Sequence, residues 1–337
     1  MRRRDLPTAF LANAPLRLDF AGGWTDVAPF SSREGGVVVN AAIGLRAHVT
    51  LDLGGKLLKL VSEDLGETLE CADSGGLAPG GKLPLLTAAL RMFPVLGTFT
   101  LTTHCDAPAG SGLGSSGALG VALVGALARA RQETMTPSDI ADQAWRVETV
   151  EAQVAGGKQD QYAAALGGFH RLTFRDPDVG IEPLTLDPDF AAALERHTVV
   201  CYTNKSRVSG DTISRVMGAY ERGDAKVTGA LRGLKETANA MAEALRAADL
   251  ARVATLLSEN WKHQQALDPG MRTDEMAQLE EAARQAGALG GKAAGSGAGG
   301  CMFFLMRDEA RKTAAAVAGN GARVIPLAWT AEGVRTW

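Results

Sequence analysis

A run of glycines and serines has the spacing expected of a loop that cradles phosphate. Residues 108–118 are PAGSGLGSSGA, between a predicted strand, TFTLTTHC, and a predicted buried helix that begins right after Ser115 and Ser116. Glycines at alternate positions permit positive φ angles and close approach to a ligand, and the helix start offers free N–H groups and a positive dipole end. Neither a Walker A motif nor GxGxxG is present. The predicted phosphate-binding residues are Pro108, Gly110, Ser111, Gly112, Leu113, Gly114, Ser115 and Ser116.

Composition excludes several other kinds of function. The chain has 337 residues, 35 Lys and Arg against 38 Asp and Glu, a net charge of −3 and 40 glycines. This near-neutral balance argues against a binder of nucleic acid or membrane surfaces, which normally carries a basic face. The 4 cysteines form no CxxC pair, which argues against a zinc ribbon and favours a reducing compartment. With no apolar run of about 18 residues, we expect a soluble cytoplasmic protein.

The predicted elements indicate an α+β protein of two domains. The length exceeds the usual limit of about 250–300 residues for a single core. A strand-rich first half with two buried helices is followed by strand, helices, strand, helix and strand, which does not repeat as βαβ. Thr136 should cap a helix that runs to about Ala155, and the Pro- and Asp-rich residues 175–190 should form a connector. We place the domains at residues 1–185 and 186–337, with the last strand packing back on the first domain.

Three motifs in order resemble those of the GHMP kinase superfamily. The loop at 108–118 is similar to the family's phosphate-binding motif, APLRLDFAGGWTD at 14–26 to its first motif, and GKAAGSGAGGC at 291–301 to its third. The resemblance implies a two-domain fold, with an N-terminal domain like a small-subunit ribosomal protein and a ferredoxin-like C-terminal domain. It also implies an enzyme that transfers phosphate from ATP to an alcohol group, with Mg²⁺ as cofactor.

Finer features resemble the bacterial sugar-1-kinases. FAGGWTDV, GGVVVNAAI and GGKQDQY are similar to heptose-phosphate and fucose kinases, and YTNKSRVS and the C-terminal residues are closer to the D-glycero-D-manno-heptose 7-phosphate kinases. Trp24 favours the fucokinase side, because a third glycine is commoner there in heptose kinases. The resemblance therefore implies phosphorylation of an anomeric hydroxyl, with a heptose 7-phosphate as the first candidate substrate and a free deoxyhexose as the second.

Phosphoryl transfer requires an aligned acceptor hydroxyl and neutralised phosphate charge, and these needs assign the roles. Ser116, or alternatively Ser115, would bind Mg²⁺, although either serine could instead cap the following helix. Glu148 and Glu151 both border the buried face of the next helix, and the resemblance favours Glu148 as the second metal ligand. We expect the glutamate that does not bind the metal to be exposed to solvent.

The catalytic candidates are Asp160, Arg17 and Lys158. The resemblance implies that Asp160 contacts the acceptor hydroxyl, and the high pKa of a sugar hydroxyl indicates that it accepts the proton late. Arg17 would stabilise the transferring charge, with Lys158 as a rival for that role.

The remaining candidates would bind the sugar. Asp26 could accept hydrogen bonds from vicinal hydroxyls and Trp24 could pack on a sugar face. Lys205 and Arg207 would meet a phosphate on the substrate, and a surface charge pair is the alternative. We expect the binding partner to be a small-molecule sugar or sugar phosphate and the protein to be a monomer or homodimer. The alternative function is that of a catalytically silent sensor that binds ATP and sugar. The full set of substrate candidates is Gly22, Gly23, Trp24, Thr25, Asp26, Lys205, Arg207, Gly295, Ser296 and Gly297.

Overall fold

The computed structural model describes residues 8–77, 80–205 and 210–337, and these form two β-sheets covered by helices. The strands are β1 Ala9–Ala21, β2 Gly36–Leu53, β3 Leu58–Ser62, β4 Glu67–Cys71, β5 Phe99–Cys105, β6 Phe169–Arg175, β7 Asp178–Pro183, β8 Thr198–Tyr202, β9 Ala288–Ala293, β10 Cys301–Met306, β11 Arg323–Ile325 and β12 Arg335–Thr336. The helices are α1 Phe30–Glu34, α2 Pro84–Met92, α3 Ser115–Ala130, α4 Pro137–Arg146, α5 Gln159–Leu166, α6 Pro188–His197, α7 Gly210–Glu221, α8 Ala225–Arg246, α9 Leu250–Gln265, α10 Asp274–Gln285 and α11 Ala310–Val317.

The first sheet is built on the long strand β2. Its first half pairs with β6 and its second half with β5, while β1 lies antiparallel along both halves. The order is β12-β1-β2-β5-β3-β4, and β7 extends the sheet beside β6. The two-residue strand β12 pairs with β1, so the C-terminal residues return to the sheet made by the first half of the chain.

The second sheet is smaller and antiparallel, in the order β11-β8-β10-β9. Every residue of β10, CMFFLM, is buried, as expected for a central strand covered on both faces. Helices α8 and α9 pack together, α8 also contacts β1 and β2, and α9 contacts β9. These helices therefore join the two sheets, and the arrangement confirms the predicted α+β class.

Helix α3 is buried nearly all round, as its apolar sequence predicts. It packs on β1 and β2 and contacts α4 and α5. Its first residue, Ser115, follows the glycine-rich loop directly, so the loop lies at the edge of the first sheet. Among the helices of the described residues, none is both long and apolar enough to cross a membrane.

The helix after Thr136 differs from the prediction. Thr136 does cap it, because its hydroxyl accepts from the Asp139 N–H at 3.2 Å and the Asp139 carboxylate accepts from the Thr136 N–H. The α-helix ends at Arg146 and continues as a π-helical turn, Val147–Glu151, instead of running to about Ala155. Gln153 then adopts a positive φ of 57°, which ends the helix.

The predicted connector at residues 175–190 is also wrong. Asp178–Pro183 forms β7, which pairs along β6, and Pro188 begins α6. The Asp187 carboxylate accepts from the Phe190 N–H at 3.0 Å, so Asp187 and Pro188 supply a cap and a proline at the first helical position. Proline and aspartate here punctuate regular elements instead of replacing them.

Candidate functional site

A cavity of about 150 Å³ lies where the two halves of the chain meet. The end of β1, the starts of α3 and α5, the residues after α4, and the loop between β9 and β10 all contribute to it. Of the predicted site residues, nine line this cavity: Arg17, Gly23, Trp24, Asp26, Ser116, Glu148, Asp160, Gly295 and Ser296.

The glycine-rich loop has the backbone that its spacing predicts. Gly110, Gly112 and Gly114 have φ angles of 70°, 76° and 77°. Gly114 is the N-cap of α3, and among the described residues no side chain caps that helix, so neither Ser115 nor Ser116 fills the capping role. The amides of the first turn of α3 thus remain available to an anion.

The glycine-rich loop contacts the third motif, residues 291–301. The Cys301 N–H donates to the Ser111 carbonyl at 2.6 Å. A Cβ on Gly295 would lie 2.5 Å from the Gly112 carbonyl oxygen, and one on Gly300 would lie 2.7 Å from that of Ser111. Only residues without a side chain fit at this approach, which brings loops 110–116 and 294–301 to one edge of the cavity.

Arg17 ties both loops to Asp160. Its Nε donates to Asp160 Oδ1 at 2.8 Å, and its Nη1 donates to the carbonyls of Gly112 at 2.8 Å and Ala294 at 3.0 Å. The Arg17 side chain is 5% exposed and that of Asp160 30%, so the carboxylate is the member that reaches the cavity. Among the described residues, no group bonds to Asp160 Oδ2, which is free to accept from a ligand.

Glycine also explains how Asp160 reaches this position. Asp160 lies in the first turn of α5, against the first turn of α3. A Cβ on Gly117 would lie 2.6 Å from the Asp160 Cβ, so any side chain at 117 would push the two helix starts apart. Gly117 therefore sets the distance between the carboxylate and the glycine-rich loop.

Glu148, and not Glu151, meets the serine that follows the loop. The Ser116 hydroxyl donates to Glu148 Oε1, and Gln161 Nε2 donates to Glu148 Oε2 at 2.6 Å. Glu151 instead pairs with Arg91 at 3.6 Å. Burial raises the pKa of Glu148 to about 7, the Ser116 bond opposes this rise, and the charge of Asp160 adds to it.

The two oxygens at Ser116 and Glu148 suit a hard divalent cation. Mg²⁺ is usually held by one or two carboxylates together with the phosphates of a substrate, so a complete protein cage is not required. In the described part of the chain no group of three or more His, Cys, Asp and Glu side chains could hold a metal. A serine hydroxyl and one carboxylate beside a phosphate-type loop fit that pattern.

The first motif forms a rigid corner beside the cavity. The Thr25 hydroxyl lies within hydrogen-bond distance of the carbonyls of Gly22 and Val37, at 2.7 and 2.9 Å, and the Gly22 N–H donates to Asn260 Oδ1 at 2.9 Å. Trp24 is buried with a positive φ of 83°. Gly22 and Thr25 therefore shape the corner, while Gly23, Trp24 and Asp26 line the cavity.

Asp26 is a buried carboxylate with one oxygen unused. Its Oδ2 accepts from the Gln159 N–H at 3.0 Å, and a Cβ on Gly157 would lie only 1.9 Å from that oxygen. Its Oδ1 is buried and has no hydrogen-bond partner in the part of the chain that the structure describes. Burial raises the pKa of Asp26 to about 7, opposed by the Gln159 N–H and assisted by the charges of Asp160 and Asp19.

Sequence reasoning missed three polar residues of the cavity, Asp19, Gln159 and Gln161. Asp19 is fully buried and its Oδ2 accepts from Lys292 Nζ at 3.0 Å. A signal existed, because Asp19 follows Arg17 by two residues on a strand and must face the same side. Gln159 and Gln161 flank Asp160 in sequence, and both could have been proposed on that ground.

Unsatisfied polar atoms concentrate at the cavity. Five of its lining residues carry a buried side-chain atom without a hydrogen-bond partner among the described residues. Since buried polar groups in proteins are nearly always paired, this clustering indicates a polar ligand. Four of the five atoms are oxygens that accept, which favours a ligand with several hydroxyl donors. The atoms are Asp19 Oδ1, Trp24 Nε1, Asp26 Oδ1, Gln159 Oε1 and Gln161 Oε1.

Lys158, Lys205 and Gly297 do not line the cavity either, nor do the residues of the glycine-rich loop that precede Ser116. Lys158 Nζ lies 4.6 Å from the centre of the Trp145 ring and within 4 Å of carboxylates of Asp142 and Asp176. Lys205 is exposed and pairs with Glu275 at 2.5 Å. Gly297 lies against Met271. Arg207 falls outside the described residues, so its predicted role stays a prediction.

Comparisons with known proteins agree on one family. The family model for the GHMP kinases N terminal domain matches residues 84–168, and the model for the GHMP kinases C terminal domain matches residues 241–323. The chain is 33% identical to a D-glycero-alpha-D-manno-heptose 7-phosphate kinase of Campylobacter jejuni, over 96% of this chain and 97% of that protein.

A solved structure and a plant relative extend this result. The crystal structure of a D-glycero-D-manno-heptose 1-phosphate kinase from Bacteroides thetaiotaomicron matches with a TM-score of 0.80 and 26% identity, over 97% of this chain and 98% of the other. A bifunctional fucokinase/GDP-fucose pyrophosphorylase of Arabidopsis thaliana is 26% identical over 87% of this chain, which spans 29% of that longer protein.

Proposed function

The chain belongs to the GHMP kinase family, and from that premise we propose that it phosphorylates the anomeric hydroxyl of D-glycero-D-manno-heptose 7-phosphate. It is an ATP-dependent kinase that acts on a sugar hydroxyl, as the resemblance implied. The heptose is chosen because the relative that matches almost the whole chain is a heptose 7-phosphate kinase. The observation that carries the proposal is the convergence of Asp160, the Ser116–Glu148 pair and the unpaired acceptors on one cavity.

Asp160 orients the attacking hydroxyl in this proposal. Arg17 holds Oδ1, so Oδ2 accepts the hydrogen bond of the sugar hydroxyl and takes its proton late in the transfer. Arg17 stabilises the charge that develops on the transferred phosphoryl group, because bonds from Nε to Asp160 and from Nη1 to the Gly112 and Ala294 carbonyls hold its guanidinium at the cavity. The free amides at the start of α3 bind the phosphates of ATP.

Ser116 and Glu148 would hold Mg²⁺, with Gln161 fixing the second carboxylate oxygen. When bound, the metal neutralises charge on the β and γ phosphates. Glu148 is protonated more readily than an ordinary glutamate because it is buried, and only its deprotonated form would hold a metal.

The phosphate on the substrate lies at the mouth of the cavity in this proposal. Among residues 8–77, 80–205 and 210–337, four carboxylates line the cavity, those of Asp19, Asp26, Glu148 and Asp160, against the one cation of Arg17. A dianionic phosphate is repelled there, whereas hydroxyl groups are not. Lys205 remains the candidate for the phosphate, because its carbonyl accepts from the N–H of Gly300, in the loop between β9 and β10, and its side chain is exposed.

Trp24 supports a second candidate substrate. Its indole lines the cavity, where it occupies space that a smaller residue would leave to the sugar. A free deoxyhexose such as L-fucose needs less room than a heptose phosphate. The fucokinase-type relative therefore gives the alternative its basis.

A substrate panel tests the proposal. Purified protein with ATP and Mg²⁺ is assayed for ADP release with both anomers of the heptose 7-phosphate, with L-fucose and with common hexoses. We expect turnover with the heptose phosphate, and a new ³¹P signal coupled to the anomeric proton. Turnover with fucose alone would select the second candidate. Binding of ATP and sugar without turnover would instead support the sensor.

A further inference from the structure

We infer that Asp19, held in place by Lys292, binds a ring hydroxyl of the sugar and so determines specificity at that position. The inference rests on the proposed function and assigns a second carboxylate to the sugar subsite beside Asp26. Asp19 is a binding residue in this inference and Lys292 a positioning residue, because the lysine does not line the cavity.

The ammonium of Lys292 occupies one side of Asp19. Lys292 is completely buried on β9, and its Nζ donates to the Asp19 carbonyl at 2.5 Å and to Asp19 Oδ2 at 3.0 Å. Burial lowers the pKa of Lys292, and the negative charge of Asp19 opposes that shift. A lysine with two bonds to one residue fixes both its backbone and its carboxylate.

The corner after β1 fixes Asp19 from another direction. A Cβ on Gly23 would lie 2.2 Å from Asp19 Oδ2 and 3.0 Å from Gln159 Nε2, so the carboxylate lies directly against the Gly23 backbone. The pairing of β1 with β2 is in register at Asp19 and Asn40 and shifts before Ala21. Such a bulge re-aims side chains at the edge of a site.

One oxygen of Asp19 remains for a ligand. Asp19 lines the cavity, and Oδ1 is buried without a partner among the described residues. A carboxylate oxygen is an acceptor, and leaving it buried and unpaired is unfavourable. A hydroxyl of the substrate supplies the missing donor without adding charge.

The charges around Asp19 favour a neutral donor over a phosphate. Asp26 and Asp160 act on the same space, since the negative charges of both Asp19 and Asp160 raise the pKa of Asp26. The only cation in contact with Asp19 among the described residues is Lys292, and its Nζ is already used. Asp19 and Asp26 each present a free oxygen, so together they bind two hydroxyls.

The test couples the residue to single hydroxyls of the substrate. Wild type and Asp19→Asn are compared on D-glycero-D-manno-heptose 7-phosphate and its 2-, 3- and 4-deoxy analogues, or on the matching fucose series if fucose is the substrate. Asparagine can keep an oxygen toward Lys292 and present an NH₂ group in place of Oδ1. Asp187→Asn, the same change at the cap of α6, is the control for effects unrelated to the cavity.

We expect one deoxy analogue to lose about 10- to 100-fold in kcat/KM with wild type, the usual range for a bond to a charged group. With Asp19→Asn the intact sugar should lose about as much, and the penalty for removing that one hydroxyl should nearly vanish. The KM for ATP should not change. If Asp19→Asn slows the intact sugar and all analogues by the same factor, or has no effect, the inference is wrong.

Asp19→Asn combined with Lys292→Met is the second variant. It removes both charges of the pair, so it avoids an unpaired buried ammonium if the single variant does not fold. The same loss of discrimination is expected from it. Wild-type turnover of the intact sugar tests the proposed function separately, so a uniform deoxy profile would overturn only the role of Asp19.

Discussion

Two ion pairs meet at the same cavity and differ in their exposure to solvent. Arg17 and Asp160 are bonded at 2.8 Å, with the aspartate 30% exposed, whereas Lys292 and Asp19 are bonded at 3.0 Å with 0% and 3% exposed. Both basic residues also bond to backbone carbonyls. The open pair presents a partly exposed carboxylate to the cavity, while the sealed pair joins β1 to β9 and leaves one buried oxygen, Asp19 Oδ1, at the cavity.

The difference in solvent exposure indicates whether each pair contributes mainly to turnover or to stability. A partly exposed pair is screened by solvent and contributes little to stability, so its value lies in the chemistry of its free oxygen. A fully buried pair is expensive to break, because one unpaired charge would then remain in the interior. We therefore expect loss of Asp160 to change turnover first, and loss of Lys292, which does not line the cavity, to change stability first.

The largest effect is expected from Asp160→Asn. Loss of the group that orients the hydroxyl and accepts its proton should lower kcat by about 10²- to 10⁴-fold. Thermal unfolding should shift by only a few degrees, because the pair is partly exposed. ADP release and circular dichroism melts measure the two effects. Wild-type turnover in this variant would remove Asp160 from its proposed role.

Lys292→Met should break the sealed pair. It leaves the Asp19 carboxylate buried and uncompensated, and we expect a loss of about 3–5 kcal/mol in the free energy of unfolding. Adding Asp19→Asn should restore most of that loss, since no full charge then remains. Urea unfolding of both variants measures this. Equal stability of Lys292→Met and wild type would contradict the comparison.

Asp26→Asn should raise stability while it lowers activity. Asp26 has its pKa raised to about 7 from 3.8, so between about pH 4 and 7 the folded state holds a proton that the unfolded state has lost. Wild-type stability from this group therefore falls as pH rises through that window. Each pKa unit corresponds to about 1.4 kcal/mol, so the variant should be more stable by up to about 4 kcal/mol at pH 8, with the gain shrinking towards pH 4. Melting curves across pH measure it, and a constant gain would contradict the cause.

Glu148→Gln tests whether Glu148, and not the nearby Glu151, binds the metal. The variant should need about tenfold more Mg²⁺ for half-maximal turnover, as expected when a charged oxygen ligand becomes neutral. Glu151→Gln is the matched control, because Glu151 pairs with Arg91 and lies outside the cavity lining. Mg²⁺ titrations of ADP release compare them. If Glu151→Gln raises the requirement and Glu148→Gln does not, the assignment is reversed.

The smallest effect is expected from Lys158→Met. The ammonium lies over the Trp145 ring and beside Asp142 and Asp176, so it connects the segment before α5 to the β6–β7 hairpin. We expect a loss of about 0.5–1 kcal/mol in stability and less than tenfold in kcat. Steady-state kinetics beside Arg17→Met supply the comparison. A loss as large as that of Arg17→Met would restore Lys158 as the rival catalytic cation.

Local sequence patterns gave correct predictions where a residue type has one main structural role. Gly110, Gly112 and Gly114 have the positive φ angles that their spacing predicts, and Thr136 forms the predicted cap. The prediction failed where contacts far along the chain override local preference. The residues around Val147 carry no local pattern that predicts a π-helical turn. The strand Asp178–Pro183 forms because it can pair with the edge of β6.

The sequence by itself determined the α+β class, the glycine-rich loop and the family, because backbone freedom, apolar patterning and motif order are properties of short segments. Only the tertiary structure decided that Glu148 and not Glu151 meets Ser116, and that Asp19 pairs with Lys292, 273 residues away. Such pairings depend on how sheets and helices pack, because a buried charge is compensated only when the segment that carries its partner packs against it. The same packing brought residues of all three motifs, Gly23, Ser116 and Gly295, to one cavity.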